Sequence, residues 1–199
     1  MKKNSGFTIL EIVIALGITM VVAFLFMRFA RFVGDSTFKL SGSLVTEQQI
    51  RQTLALMMPE IRSASQSNIG GYPISQAASS TFEFYSDVDR NGTFDKVRYF
   101  LSGTTLRKGV VLPTGNPLGY VTSTETIVDL VSNIIPGNQI FTYYDVAATS
   151  SFSTALTQPV DVLKVKTVKV SLVANQGTTA APSIVGVEDE ATIRNLRYK

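Results

Sequence analysis

From Phe7 to Met27 the chain is almost unbroken in its apolar character: over 21 residues Glu11 is the sole charge and Gly17 the sole glycine. A helix of that length spans about 30 Å, the thickness of a bilayer's hydrocarbon core. Beyond it, Leu44, Ile50, Leu54, Met57, Met58 and Ile61 recur at helical spacing and predict an apolar stripe. Glu47 lies on that stripe and interrupts it, so the packed face is expected from Ile50 onward, with Thr46, Gln48, Arg51, Gln52 and Glu60 elsewhere around the helix. Gly34 and Ser41-Gly42-Ser43 weaken the middle, and Pro59 predicts a local kink. The pattern is that of one helix from about Phe7 to Ser63, exposed in its first half and packed on a sheet in its second.

The period then changes from 3.6 to two. Residues 63–80 are rich in Ser, Gly and Ala and read as a loop. Thr81–Tyr85, Lys96–Leu101 and Thr105–Val110 alternate and predict a three-stranded meander. Val111–Thr124 holds two prolines and two glycines and reads as loop, whereas Glu125–Ile135 fits a short helix or a strand equally. Further strands are expected at Ile140–Asp145, Val162–Val173 and Ile184–Leu196, with a polar connection over Val146–Gln158. In Val162–Val173 the alternation changes phase near Thr167, which predicts a bulge or a late start. Helix first and strands afterwards is the order of an α+β domain with a helix laid across an antiparallel sheet.

Composition removes several functions. There is no Cys and no His, which excludes disulfides, the usual zinc sites and a histidine base. No nucleophile elbow or phosphate-binding glycine loop is present, so a non-enzymatic role is expected. The net charge of +3 is weak and no long Lys/Arg cluster occurs, so no nucleic acid contact is expected. Lys164, Lys166 and Lys169 predict a mildly basic strand edge that blocks sheet-to-sheet pairing. Lys2 and Lys3 before an apolar run suggest a secretory signal, but no small-residue A-x-A cleavage site follows. Orientation is not set by charge, since Arg28, Arg31 and Lys39 balance Lys2 and Lys3.

Two places carry candidate chemistry. A lone carboxylate in a membrane-length apolar run costs about 2.5–3.5 kcal/mol by insertion scales, which marks Glu11 as a functional residue; the bland reading is a charge tolerated near a helix end. The second is Asp87-Val88-Asp89-Arg90-Asn91-Gly92-Thr93-Phe94-Asp95. Oxygen ligands at alternate positions with Gly at the sixth match the first half of an EF-hand-type calcium loop. Asp87, Asp89 and Asn91 would supply side-chain oxygens, Thr93 a carbonyl, and Asp95 a carboxylate directly or through water. The match ends at position twelve, where Arg98 stands in place of Glu, and strands rather than helices flank it. The other reading is a hairpin tip that uses Asp, Asn and Gly for their tolerance of positive φ.

Lys2-Lys3-Asn4-Ser5-Gly6 followed by Phe7-Thr8-Ile9-Leu10-Glu11-Ile12-Val13-Ile14-Ala15-Leu16 resembles the class III leader and helix start of type IV pilins and type II secretion pseudopilins. The resemblance covers about 20 residues and is specific, because leader charge, Gly, Phe, Glu spacing and apolar run agree. It implies a leader over 1–6, cleavage after Gly6 and N-methylation of Phe7 by a prepilin peptidase. A transmembrane and assembly helix would follow over 7–33, an amphipathic continuation over 34–63 and a soluble β-rich pilin domain over 64–199. Glu11 would be the fifth residue of the mature chain and would pair with the terminal amine of a neighbouring subunit. Implied partners are other pilin or pseudopilin subunits, the inner-membrane assembly platform and membrane lipid. The implied location is the inner membrane as a single-pass protein, then an extracytoplasmic filament.

The strands around Phe84–Asp87, Tyr99–Leu101 and Phe141–Asp145, with a terminal Arg194-Asn195-Leu196, look more loosely like the minor pseudopilin J and W-type minor pilin group. Major pilins often carry a kink-forming proline near the place where this chain has Arg28. The expected role is therefore a minor pilin or pseudopilin with no cofactor, calcium at the Asp87–Asp95 loop being the open alternative. A major pilin, or a membrane-anchored calcium- or ligand-binding domain that never polymerises, is the alternative.

Overall fold

The computed structural model describes residues 8–146, 154–175 and 184–197, and within them the side chains of all but 34–44. Helix α1 runs Ile9–Arg62, and the chain divides into two compact units, Met1–Gly42 and Ser43–Lys199. In the first, the helix stretch Ile9–Val33 is 25 residues long and none of it is buried. At 1.5 Å per residue it is about 37 Å long, enough to cross a membrane.

In the second unit α1 turns one face inward. Thr46, Ile50, Thr53, Leu54, Met57, Met58 and Ile61 are buried, a run of i, i+3 and i+4 steps. The buried face thus begins one turn before the expected Ile50. Thr46 lies on it rather than elsewhere, and Glu47 does not break it, since its carboxylate turns aside to Arg51 at 2.7 Å. Leu56 and Pro59 stay exposed. The helix continues through Pro59 to Arg62, and Ser63 closes it, donating its N–H to the Pro59 carbonyl and its hydroxyl to the Glu60 carbonyl, both at 3.0 Å.

Among the described residues ten strands follow, in two main antiparallel sheets and one small ribbon. The five-stranded sheet has the order β1-β2-β3-β4-β7: β1 Ile74–Ala77, β2 Thr81–Ser86, β3 Asp95–Ser102, β4 Thr105–Val111 and β7 Thr126–Val131. The predicted meander is β2-β3-β4. Strand β1 falls inside the expected 63–80 loop; its register with β2 shifts between Ile74 and Gln76, and that bulge destroys the alternation that would have marked it. Strand β7 resolves the open choice at 125–135. The ribbon is β5 Pro113–Thr114 with β6 Gly119–Tyr120, inside the expected loop.

The three-stranded sheet has the order β10-β9-β8: β8 Phe141–Tyr144, β9 Thr167–Asn175 and β10 Ile184–Thr192. The phase change at Thr167 is a late start: β9 begins there, after a 3-10 turn at Val162–Lys164 whose Leu163 N–H donates to Asp161. The expected basic edge is not formed. Lys164 lies in that turn, and Lys169 sits on the central strand, paired with Glu188 on β10. The last strand also ends earlier than predicted, at Thr192, and Arg194–Leu196 is a 3-10 turn. There Leu196 is buried and Asn195 Nδ2 donates to the Ala64 carbonyl at 2.9 Å, which ties the C-terminal turn to the end of α1.

Among the described residues the core is one cluster that joins the α1 stripe to the inward residues of both sheets. Phe82 is its aromatic centre, with ring centroids 4.9 Å from Phe84, 5.9 Å from Phe141 and 5.7 Å from Tyr143. A polar lock sits at its margin. Cross-strand neighbours Tyr99 and Lys108 both reach Glu60 on α1: Tyr99 donates its hydroxyl at 2.5 Å and Lys108 its ammonium at 2.6 Å. Burial, then the Glu60 charge, pushes the Tyr99 hydroxyl well above its ordinary pKa, so it remains a donor. Glu60 lies in the last turns of α1, where the helix dipole disfavours an anion, and the sheet supplies the compensation. Substituting Glu60→Ala would leave a largely buried ammonium and a buried hydroxyl without their acceptor. The expected loss is about 2–4 kcal/mol, against a smaller loss for Glu60→Gln, measured by urea unfolding of the full chain in detergent micelles.

Candidate functional site

The two candidate regions lie in different units. In the first, Thr8 caps α1: Glu11 donates its N–H to Thr8 Oγ1 at 3.3 Å and Ile12 donates to the Thr8 carbonyl at 3.2 Å. Thr8-Ile9-Leu10-Glu11 therefore has the spacing of a capping box, in which an acid at the third helical position also favours the positive end of the helix dipole. Among the described residues the Glu11 carboxylate itself has no hydrogen-bond or ion-pair partner. Gly6 and Phe7 lie outside the described residues. Downstream, Thr19 returns its hydroxyl to the Ala15 carbonyl at 2.7 Å, and the Arg28 guanidinium lies 5.3 Å from the Phe24 ring centre. Two of the stretch's polar groups are thus satisfied locally, in contrast to Glu11.

The second region joins β2 to β3, whose last paired residues are Ser86 and Asp95. Gly92 (φ 86°) takes the left-handed conformation expected of a glycine at the tip, and Arg90 (φ 59°), rather than an Asn or Asp, takes it as well. Side chains of the tip bind its own backbone. Asp87 accepts the N–H groups of Asn91 and Gly92, both at 3.0 Å. Asp89 accepts the Asn91 N–H at 3.2 Å and its side-chain amide at 2.7 Å. Asn91 Oδ1 accepts the Thr93 N–H at 2.7 Å and the Thr93 hydroxyl. The structure brings Asp87, Asp89, Asn91 and Thr93 together at the tip, as a hairpin loop requires. Among the described residues no three acidic groups yet converge as a ready metal cage.

Asp95 is different. Cross-strand pairing puts it on the inward face beside Ser86, where it is 1% exposed, and neither carboxylate oxygen makes a hydrogen bond of acceptable geometry. Burial first, then the charge of Asp89 and after it that of Asp87, push its pKa from 3.8 up to about 6; the Val88 backbone N–H, which outweighs Asp87, and Lys108 act the other way. Arg98, at the twelfth place of the loop pattern, belongs to neither. It lies on the opposite face of β3, forked onto Glu125 at 2.9 and 2.6 Å with its guanidinium 4.1 Å from the Phe100 ring centre. Gly109 makes room for that fork, since a Cβ there would meet Glu125 Oε1 at 1.9 Å.

Sequence reasoning missed two features of this unit. One is the Glu60–Tyr99–Lys108 lock. The other is a groove lined by Leu56, Pro59, Ser63, Asp87, Arg90 and Arg194, between the last turns of α1, the hairpin tip and the C-terminal turn. Its residues are scattered over 140 positions, and no local pattern could have assembled them.

No family model matches this chain, and no curated protein matches it.

A carboxyl whose folded-state pKa is raised holds its proton more tightly in the native state than in the unfolded one. Stability from Asp95 is therefore full below about pH 3.8, falls as pH rises toward about 6 and stays low above it. At 1.36 kcal/mol per pH unit the loss amounts to as much as ~3 kcal/mol. Asp95→Asn retains only the smaller cost of an unpartnered amide. In buffer stripped of divalent cations it is expected to raise unfolding free energy at pH 7.5 by about 1–3 kcal/mol and to flatten the decline between pH 4 and 6.5. Urea titrations across that range, read by tyrosine fluorescence, test this.

Proposed function

We propose that this chain is a minor pilin or pseudopilin, a non-enzymatic subunit built through its N-terminal helix into a type IV pilus or type II secretion filament. The observation that carries the reading is the exposed apolar stretch Ile9–Val33, which opens on an acid that has no partner among the described residues. Twenty-five residues of unburied apolar helix require lipid or other helices around them. Glu11 asks for a cation in the same surroundings. Cleavage after Gly6 by a prepilin peptidase would create one, the amine of Phe7. On a helix that amine and Glu11 lie one turn apart, so one subunit's amine can meet the next subunit's carboxylate only at a defined axial offset. Assembly on an inner-membrane platform would move the stretch from lipid into a helix bundle, and the charge pair would set its register.

The antiparallel sheets packed on the second half of α1 agree with a pilin-like domain. On this reading it lies outside the cytoplasm and contacts other subunits or cargo. Arg28, in place of the kink-forming proline common in major pilins, favours a minor subunit. The acidic hairpin favours a second reading, a membrane-anchored ligand-binding domain that never polymerises.

Substitution at Glu11 separates the two. Under the filament reading Glu11→Ala leaves cleavage after Gly6 intact and lowers incorporation into sheared filaments by roughly a hundredfold or more, from 3–5 kcal/mol for a broken buried pair at 1.4 kcal/mol per tenfold. Mass spectrometry of the mature N-terminus should find methylated Phe7. A native protein that still begins at Met1, or a Glu11→Ala variant incorporated at the wild-type level, overturns the assembly account.

A further inference from the structure

Buried Asp95 lacks something the rest of the unit could have provided. Its cross-strand neighbour Ser86 is hydrogen bonded to Ser63 at 2.9 Å, and the Ser63 hydroxyl is itself given to the Glu60 carbonyl. The nearby cation, Lys108, is held by Glu60. Each of these donors is engaged elsewhere, the Val88 backbone N–H lies near without making a full hydrogen bond, and both oxygens of a carboxylate with almost no solvent contact are left unsatisfied. A buried group of this kind is costly unless something outside the protein's own donors completes it. Asp87 directly follows Ser86, the cross-strand partner of Asp95, and the charges of Asp89 and Asp87 both act on Asp95.

We propose that Asp95 is the anchoring ligand of a single calcium-class cation site, closed by Asp87, Asp89, Asn91 Oδ1 and the Thr93 carbonyl at the β2–β3 hairpin. The proposal is independent of the filament reading. Its chemistry is that of a hard divalent ion: every donor is an oxygen, three are carboxylates, and the chain has no His or Cys to hold a softer metal. Asp95 takes over the anionic role that Arg98 vacates at the twelfth place of the loop pattern, and does so from a fixed position in a sheet. Asp87 and Asp89 hold backbone amides, which leaves lone pairs on the same oxygens for a metal. Six to eight ligands at variable distance suit Ca²⁺; a loop that must still close around the ion does not offer the rigid octahedron that Mg²⁺ requires. Three carboxylates on such a loop place the dissociation constant on the order of 10⁻⁴ to 10⁻³ M.

The test uses the full chain in detergent micelles, stripped with EGTA and then titrated with CaCl₂ or, separately, MgCl₂, while thermal unfolding is followed by circular dichroism. Ten millimolar CaCl₂ is expected to raise the wild-type midpoint by about 3–10 °C, with EGTA reversing it and MgCl₂ giving less than about a third of the effect. Asp95→Asn and Asp89→Asn should each remove most of that rise. Asp89 is exposed at the loop tip, so its substitution leaves the core untouched and the result readable even if Asp95→Asn misfolds. No calcium-dependent rise in the wild type, an equal rise with Mg²⁺, or an undiminished rise in Asp89→Asn overturns the site.

Discussion

The inward face of α1 against Phe82, Phe84 and Tyr99 is the contact on which the second unit is built. Ile50, Leu54, Met57, Met58 and Ile61 are almost fully buried there, in one core with rings from β2 and β3 of the larger sheet. At about 25 cal/mol per Å² of apolar surface, each such side chain contributes on the order of 1.5–3 kcal/mol. Other features of the unit follow from holding that face in place. The Glu60 lock fixes the end of the helix on β3 and β4, and Ser63 and Ala64 carry contacts to β2 and to the C-terminal turn. Strand β9 brings the smaller sheet into the same core through Val168, Val170 and Leu172.

Three carboxylates illustrate how placement decides what a side chain does. Glu60 is largely buried, yet it is met by an ammonium and a phenol and stabilises the fold. Asp95 is buried with no such partner, so its charge works against the fold until a proton or a cation arrives. Glu11 is exposed on an apolar helix that water does not suit, and the cation it asks for must come from another chain or from the cut terminus. The same functional group therefore serves as a clamp in one place and as an open valence in two others. Unsatisfied valences are where a molecule of this kind meets something outside itself.

Much of the fold was legible along the chain. The apolar stretch, the stripe on α1, the meander β2-β3-β4 and the late start of β9 are all periodic patterns, and periodicity is a local property. What escaped was non-local or short. Strand β1 is four residues with a bulge, too brief and irregular to alternate. The terminal Ile193-Arg194-Asn195-Leu196 has strand-like composition but turns because Leu196 is drawn into the core beside α1. Thr46 looked polar enough for the surface, and burial on the extended inner face overrode that preference. Lys169 looked like an edge residue until the strand order placed β9 between two neighbours.

Of the candidate residues, the sequence alone selected Glu11 and the Asp87–Asp95 loop, because both depend on spacing within a short segment: one acid in a greasy run, and oxygens at alternate positions ending at glycine. It could not tell Asp95 from Asp87 or Asp89, since all three are the same group within nine positions. Tertiary structure separated them. Pairing of Asp95 with Ser86 turned its side chain inward, the helix end closed over that face, and the surrounding donors had already bonded elsewhere. Chain order records which groups are present and how far apart they lie. Which of them are dry, and which of those are left without a partner, depends on contacts between segments dozens of residues apart.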